Sequence, residues 1–263
     1  MIEQVISYRE SMGTKLDRNR AERIWGREVI SAFEKETGIR LQNREDNPLK
    51  REKIRIAKEI AQDLYRRPIV KLIGVSGSVA ADIMHESDDI DLFIIVHDHS
   101  SWIYRIYAKF LLGDRVISYG QEHKKDRICL NFITEERGSS LPNHDIFNFH
   151  EIYYMEPIYG ADYFPEFLNR NKHWLKDQFH VKISDNHKPS DKKLKDHMLT
   201  ALFILPNFVA FLLQVLYMII TKHDPDLRRI FASYRSGRVE FYPSDFRNKK
   251  LKEFYDNKNE AES

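Results

Sequence analysis

Lys71-Leu72-Ile73-Gly74-Val75-Ser76-Gly77-Ser78, followed by Asp88-Asp89-Ile90-Asp91-Leu92-Phe93-Ile94-Ile95-Val96, decides how this chain is read. The first piece reads as a strand running into a tight Gly-Ser turn that opens a short helix. The second reads as a polar turn and a strand that starts with carboxylates. Side chains alternate along a strand, so Asp89 and Asp91, two residues apart, project to the same side. Leu92 to Val96 is a continuous apolar run of the kind found in strands buried on both faces. A charge entering such a strand is costly unless it is paired or bound to a metal. Oxygen ligands of this kind suit Mg²⁺, which takes one or two carboxylates and completes its shell with water and substrate phosphates. The Gly-Ser turn offers backbone N–H groups and the positive end of a helix dipole to a phosphate. An anion site facing a metal site is an arrangement that holds a nucleoside triphosphate. Taken singly, Ser76-Gly77-Ser78 is a plain turn with a helix cap, and Asp88-Asp89 is a polar strand entry. Their combination carries the expectation.

Outside this stretch the chain alternates in type. Residues 1–66 read as an N-terminal helical segment, with a break at Gln42 to Asn47 before Pro48 and an amphipathic helix from Arg51 to Tyr65. Residues 67–140 read as a β/α core: strands at Ile69–Val75, Ile90–Val96 and Arg127–Thr134, with helices from Ser78 and over Trp102–Leu112. Residues 141–263 read as a mainly helical C-terminal domain, with a polar interruption from Ser184 to Asp191 and a charged tail from Lys249 that frays. The expected class is α+β, a mixed sheet with packed helices.

Composition bounds the function classes. The 263 residues carry 42 Lys+Arg against 40 Asp+Glu, a net charge of +2, which gives no global attraction to nucleic acid. A single cysteine, Cys129, excludes an internal disulfide framework and fits a cytoplasmic location. It lies in the apolar run Ile128–Ile133, where a buried, inert thiol is expected. The N-terminus, Met1-Ile2-Glu3-Gln4, lacks the pattern of a secretory signal. His97 and His99 have neither a third histidine nor a cysteine at zinc spacing. Leu199 to Ile220 is apolar over nearly the length of a membrane span. Pro206-Asn207 is expected to cut it, and a helix covered on most sides, without stable membrane insertion, is the reading preferred.

The Gly77-Ser78 pair and the Asp89-Ile90-Asp91 strand together resemble the signature of the DNA polymerase β-like nucleotidyltransferase superfamily, over roughly residues 68 to 135. Cys129-Leu130-Asn131-Phe132 and Phe211–Met218 resemble a prokaryotic, largely uncharacterised branch of it. The resemblance implies a nucleotidyltransferase-like sheet and attack of an acceptor hydroxyl on the α-phosphate of a nucleoside triphosphate such as ATP, with pyrophosphate leaving. It also implies Mg²⁺ or Mn²⁺ held by Asp89 and Asp91, with Ser76, Gly77 and Ser78 at the outer phosphates. Arg105 and Arg127 are candidate phosphate or base contacts. The superfamily usually places a third carboxylate on a later strand, and the residue in that setting here is Asn131. An amide accepts a hydrogen bond but takes no proton as a carboxylate does.

Glu135, Glu136, Asp145, His150 and Glu151 follow that strand as possible substitutes, each with an ordinary structural role as its alternative. Phe147, Phe149, Tyr153 and Tyr154 are read as core packing. Three functions follow: a metal-dependent nucleotidyltransferase with an unspecified small-molecule, RNA or protein acceptor, an NTP-binding regulatory module weakened at Asn131, or an antitoxin-like interaction protein.

Overall fold

The computed structural model describes residues 1–65, 69–117, 125–183, 194–221, 226–240 and 246–262; at positions 131, 194–197, 240, 246 and 257–262 it describes the backbone alone. Four helices come first: α1 (Ile2–Ser11), α2 (Arg18–Trp25), α3 (Arg27–Thr37) and α4 (Pro48–Tyr65). The core follows as β1 (Val70–Val75), α5 (Gly77–Ala81), β2 (Ile90–Val96), α6 (Ser101–Leu112) and β3 (Ile128–Glu135). Then come α7 (Ile146–Tyr154), β4 (Glu156–Tyr159), α8 (Phe164–Arg170), α9 (Lys172–Phe179), α10 (Leu194–Ile220), α11 (Leu227–Ser236), β5 (Arg238–Glu240) and α12 (Phe246–Glu262).

The strands form one mixed sheet in the order β4-β1-β2-β3-β5. β2 runs antiparallel to β1 and parallel to β3. Antiparallel pairing brings the exit of β1 and the entry of β2 to one end of the sheet, with Val75 opposite Leu92. The β1–α5 turn therefore stands over the start of β2. Leu92, Ile94, Ile95 and Val96 are buried, as expected of a strand covered on both faces.

β4 and β5 depart from the helical reading of the C-terminal part. Each is short, and each pairs antiparallel at an edge: β4 on β1, β5 on β3. Pro157 in β4 is compatible with that place, because an edge strand has one side free of ladder bonds. The charged tail also differs from expectation. It forms α12, and Phe254 is buried against Tyr8 of α1, with ring centroids 5.1 Å apart. One aromatic anchor docks a segment whose charges alone suggested fraying. The polar stretch from Ser184 to Asp191 lies outside the described residues.

α10 corrects the sequence reading twice. The helix runs through Pro206 without ending. The N–H groups of Trp102 and Ile103, at the start of α6, donate to the Asn207 side-chain oxygen at 2.8 and 3.2 Å. The neighbouring helix gives Asn207 the structural use that a break would have supplied. The helix is also less covered than expected. Asn207, Ala210 and Phe211 are buried, but Leu202, Leu205, Leu212, Leu213, Leu216 and Ile220 are exposed. Its contacts are chiefly with α6, so packing covers one side of a helix that is apolar all round. Met198–Ile220 is long and apolar enough, by length and composition, to cross a membrane.

Candidate active site

Asp89 sits immediately before β2 and Asp91 is its second residue, so the strand's alternation points both carboxylates the same way. One carboxylate oxygen from each and the Cys129 thiol lie within 4.8 Å of one another. Cys129 reaches this group because β2 and β3 are parallel and in register here, Asp91 opposite Cys129. Beyond that pair the register shifts: Phe132 stands opposite Phe93, so Leu130 and Asn131 share the space opposite Leu92. The stacked rings of Phe93 and Phe132, 4.5 Å apart, lock the register after the bulge. Among the described side chains of β3, the one that reaches the carboxylates is Cys129. The side chain of Asn131 lies outside the described residues.

The β1–α5 turn closes over Asp91. The Ser76 N–H donates to the Asp91 carbonyl at 2.9 Å, extending the β1–β2 ladder by one rung. Gly77 has φ +62°, and a Cβ there would lie 2.2 Å from Asp91 Oδ2. Glycine is required on both counts: by the left-handed backbone and by the close approach of the carboxylate. The Ser78 hydroxyl donates to Asp88 Oδ2 at 3.3 Å, and the His85 N–H donates to the same oxygen at 2.9 Å. Asp88 thus ties the two halves of the motif together.

Lys53 holds this loop from below. Its side chain is fully buried in α4, and Nζ donates to the carbonyls of Asp88 at 2.7 Å and Glu86 at 3.2 Å and pairs with Asp126 at 2.9 Å. The backbone leading into Asp89 is fixed by a cation that no local motif announced.

α7 carries Glu151, one of the acids that follow β3. Residue Glu156 of β4 pairs with Val75, and α7 immediately precedes β4, so the end of α7 packs beside the Gly-Ser turn. Glu151 accepts a hydrogen bond from the Gly77 backbone N–H. Burial, followed by the charge of Asp91, pushes its carboxyl up to about 7, and the Gly77 N–H offsets only part of this. Next to it, His150 is bonded to Arg9 Nη1 at 2.9 Å. Burial, then Arg9 and Arg20, holds the His150 imidazole well below its ordinary range, so it stays neutral.

Arg9 itself is fully buried. It donates to Thr14 and to the Ala81 carbonyl, both at 2.9 Å, and lies 4.0 Å from the Tyr154 ring centroid. This cluster fastens α1, the end of α5 and α7 to each other, and it sets the position of Glu151.

The remaining candidates lie as follows. Glu135 is buried, accepts from the Ser101 hydroxyl at 2.7 Å, and pairs with Arg137 at 2.7 Å. Glu136 accepts from the Tyr163 hydroxyl at 3.1 Å. Asp145 caps α7, taking the Asn148 N–H at 2.9 Å, and pairs with Arg247. Phe149 and Tyr153 stack in the core with Trp25, as their spacing suggested. Arg105 lies buried between α6 and α10, its Nη1 donating to Gln214 at 2.9 Å; burial lowers it to about 10, and Cys129 acts on it in the opposite sense. Arg127 precedes β3, and its carbonyl accepts from the Ile90 N–H at 2.9 Å. That bond puts it beside the residue between the two aspartates.

A cleft of about 1030 Å³ opens between the N-terminal helices and the end of α5. Arg20, Lys50 and Arg44 line it, but Glu156 pairs with the first two and Asp82 with the third. Its walls are therefore largely neutralised.

Residues 54–146 match the family model described as a nucleotidyltransferase domain. The matched stretch runs from within α4 to the first residue of α7 and contains the Gly-Ser turn, Asp89, Asp91 and Cys129. That stretch is similar to a nucleotidyltransferase domain, which is consistent with the DNA polymerase β-like superfamily. No curated protein and no solved structure matches the chain. The domain supports nucleotidyl transfer in general, and members of this family typically use divalent metals. The two same-face carboxylates, Asp89 and Asp91, are oxygen donors that fit such a cation.

Proposed function

We propose that this chain transfers a nucleoside monophosphate from a nucleoside triphosphate to a hydroxyl acceptor, with release of pyrophosphate. Asp89 and Asp91 hold the divalent cation, Mg²⁺ or Mn²⁺. The observation that carries this reading is the closure of the Gly77 turn over Asp91, which sets a phosphate-binding turn and paired carboxylates within one contact distance. When bound, the cation supplies charge neutralisation on the phosphate oxygens and a Lewis acid at the reacting phosphate.

The remaining work falls to the chain. Ser76, Gly77 and Ser78 position the outer phosphates at the start of α5, with Ser78 itself oriented by Asp88. Arg127 is assigned to the phosphates because it enters β3 beside Ile90, whereas Arg105 is engaged with Gln214. The acceptor oxygen attacks the α-phosphorus, the bond to pyrophosphate breaks, and the acceptor proton passes to solvent water.

A second reading, nucleotide binding without turnover, is favoured by one observation: β3 presents a thiol rather than a carboxylate opposite Asp91. Pyrophosphate release separates the two. The purified chain is incubated with each of the four NTPs, a cell extract as the source of acceptor, and Mg²⁺ or Mn²⁺. Transfer predicts metal-dependent pyrophosphate and a labelled acceptor. Asp89→Asn or Asp91→Asn is expected to lower the rate by at least ~100-fold, in keeping with loss of a metal-dependent site. Metal-dependent NTP binding without pyrophosphate supports the second reading.

A further inference from the structure

We propose that the outer face of α10 is the surface on which two copies of this chain pair, helix against helix. The inference is independent of the metal site.

The face is read from its spacing. Met198, Leu202, Leu205, Val209, Leu212, Leu216 and Ile219 follow one another at alternating steps of four and three residues. That is the heptad pattern of a seam along which one helix packs on another. All seven are exposed, from 44% for Leu212 to 69% for Leu205. They lie opposite the stripe of Asn207, Phe211 and Gln214, which is held to α6 through Trp102 and Arg105. The helix thus carries two packing seams, and its own chain fills one of them.

Three observations choose the occupant. The first is area. With Leu213 and Ile220 the outer seam opens an apolar patch on the order of 900 Å², whereas the largest patch of an ordinary monomer is about 300–600 Å². A stable complex buries about 800 Å² on each partner, so this face against its own copy reaches the required size. The second is charge. Residues 198–220 contain no Asp, Glu, Lys or Arg, so the seam has nothing to select an acidic or basic partner and nothing to repel its copy. A two-fold pair needs such a self-complementary patch, in which the same residues serve both partners. The third is shape. Beside Leu205 and Val209 a groove of about 430 Å³ opens toward Ile103 and Ile106 of α6, where side chains of the copy can seat.

A lipid occupant fits less well. Tyr234 and Phe231 of α11 pack on Phe211, with ring centroids 4.6 and 5.2 Å apart. The middle of α10 is therefore held against a helix that carries Arg228, Arg229 and Arg235. If α10 crossed a bilayer, those cations would sit near its centre, where a charge is costly.

The test is sedimentation equilibrium of the full chain, purified without detergent, as wild type, as Leu205→Glu/Leu212→Glu, and as Val29→Glu, an exposed substitution on α3. Circular dichroism confirms the fold of each. The wild type and Val29→Glu are expected at twice the 31.4 kDa chain mass, and the double variant is expected to self-associate at least tenfold more weakly. If the double variant does not fold, Leu202→Gln/Leu216→Gln, which adds no charge, is read in its place with the same expectation. Any other wild-type mass overturns the inference. So does a folded seam variant as dimeric as wild type, or a Val29→Glu variant that dissociates as the seam variant does. Recovery of the wild type in the membrane fraction, resistant to high salt and alkaline wash, overturns it in favour of lipid.

Discussion

At the residue scale, Gly77 does two things that no other residue type can do together. It takes a left-handed φ of +62°, and it leaves space for Asp91 Oδ2, which stands 2.2 Å from where a Cβ would lie. Alanine there adds the backbone strain of about 1–2 kcal/mol and forces the carboxylate or the turn to move. Gly77→Ala is expected to lower stability by about 2–3 kcal/mol and to weaken metal-dependent triphosphate binding at least tenfold. Urea unfolding and calorimetry check the two parts; wild-type values for both contradict the geometry. The placement of Gly77, Asp89 and Asp91 was legible in the sequence because it follows from local rules: turn chemistry, strand alternation and an apolar run. Glu151 was visible only as one of several acids after β3. Its place near the turn comes from β4 pairing with β1, a contact between segments some eighty residues apart, and no local pattern encodes it. The same applies to Cys129, which the parallel register of β2 and β3 brings opposite Asp91.

At the scale of elements, α4 shows how a regular helix serves the site. It was read as amphipathic from Arg51 to Tyr65, and its fully buried stripe is Lys53, Ala57, Ala61 and Leu64. Lys53 falls on the same face at helical spacing, four residues before Ala57, and its ammonium reaches the carbonyls of Glu86 and Asp88. A lysine is ordinarily taken as exposed, so the sequence gives no sign of this tie. Lys53→Met keeps the stem volume but leaves two carbonyls and Asp126 without their cation. The expected cost is about 2–4 kcal/mol, with weaker metal binding because the strand entry at Asp89 loses its support. Chemical denaturation and Mn²⁺ titration check this; a variant as stable as wild type contradicts the role assigned to the tie. α10 and α12 went the other way. Their composition was plain, but the packing partners that decide coverage, α6 for one and Tyr8 of α1 for the other, lie far off in sequence.

At the scale of the molecule, the sheet brings the β1 exit, the β2 entry and the end of α7 to one edge, and the site is the product of that meeting. The central strands were placed to within a residue or so, because buried parallel and antiparallel strands write continuous apolar runs into the chain. The edge strands β4 and β5 were not, since segments of four and three residues carry too little pattern to be read. The helices around the sheet extend well beyond the matched nucleotidyltransferase stretch of residues 54–146. Fold and family alone do not choose an acceptor. The claim on which the whole account depends is narrower: Asp89 and Asp91, under the Gly77 turn, hold the cation that brings a triphosphate to this site. The most direct measurement is calorimetric titration of a non-hydrolysable NTP analogue into the wild-type chain and into the folded double variant Asp89→Asn/Asp91→Asn, each with and without Mg²⁺. The account predicts binding by the wild type only when Mg²⁺ is present, and none by the double variant. Equal Mg²⁺-dependent affinity in the two proteins would contradict it.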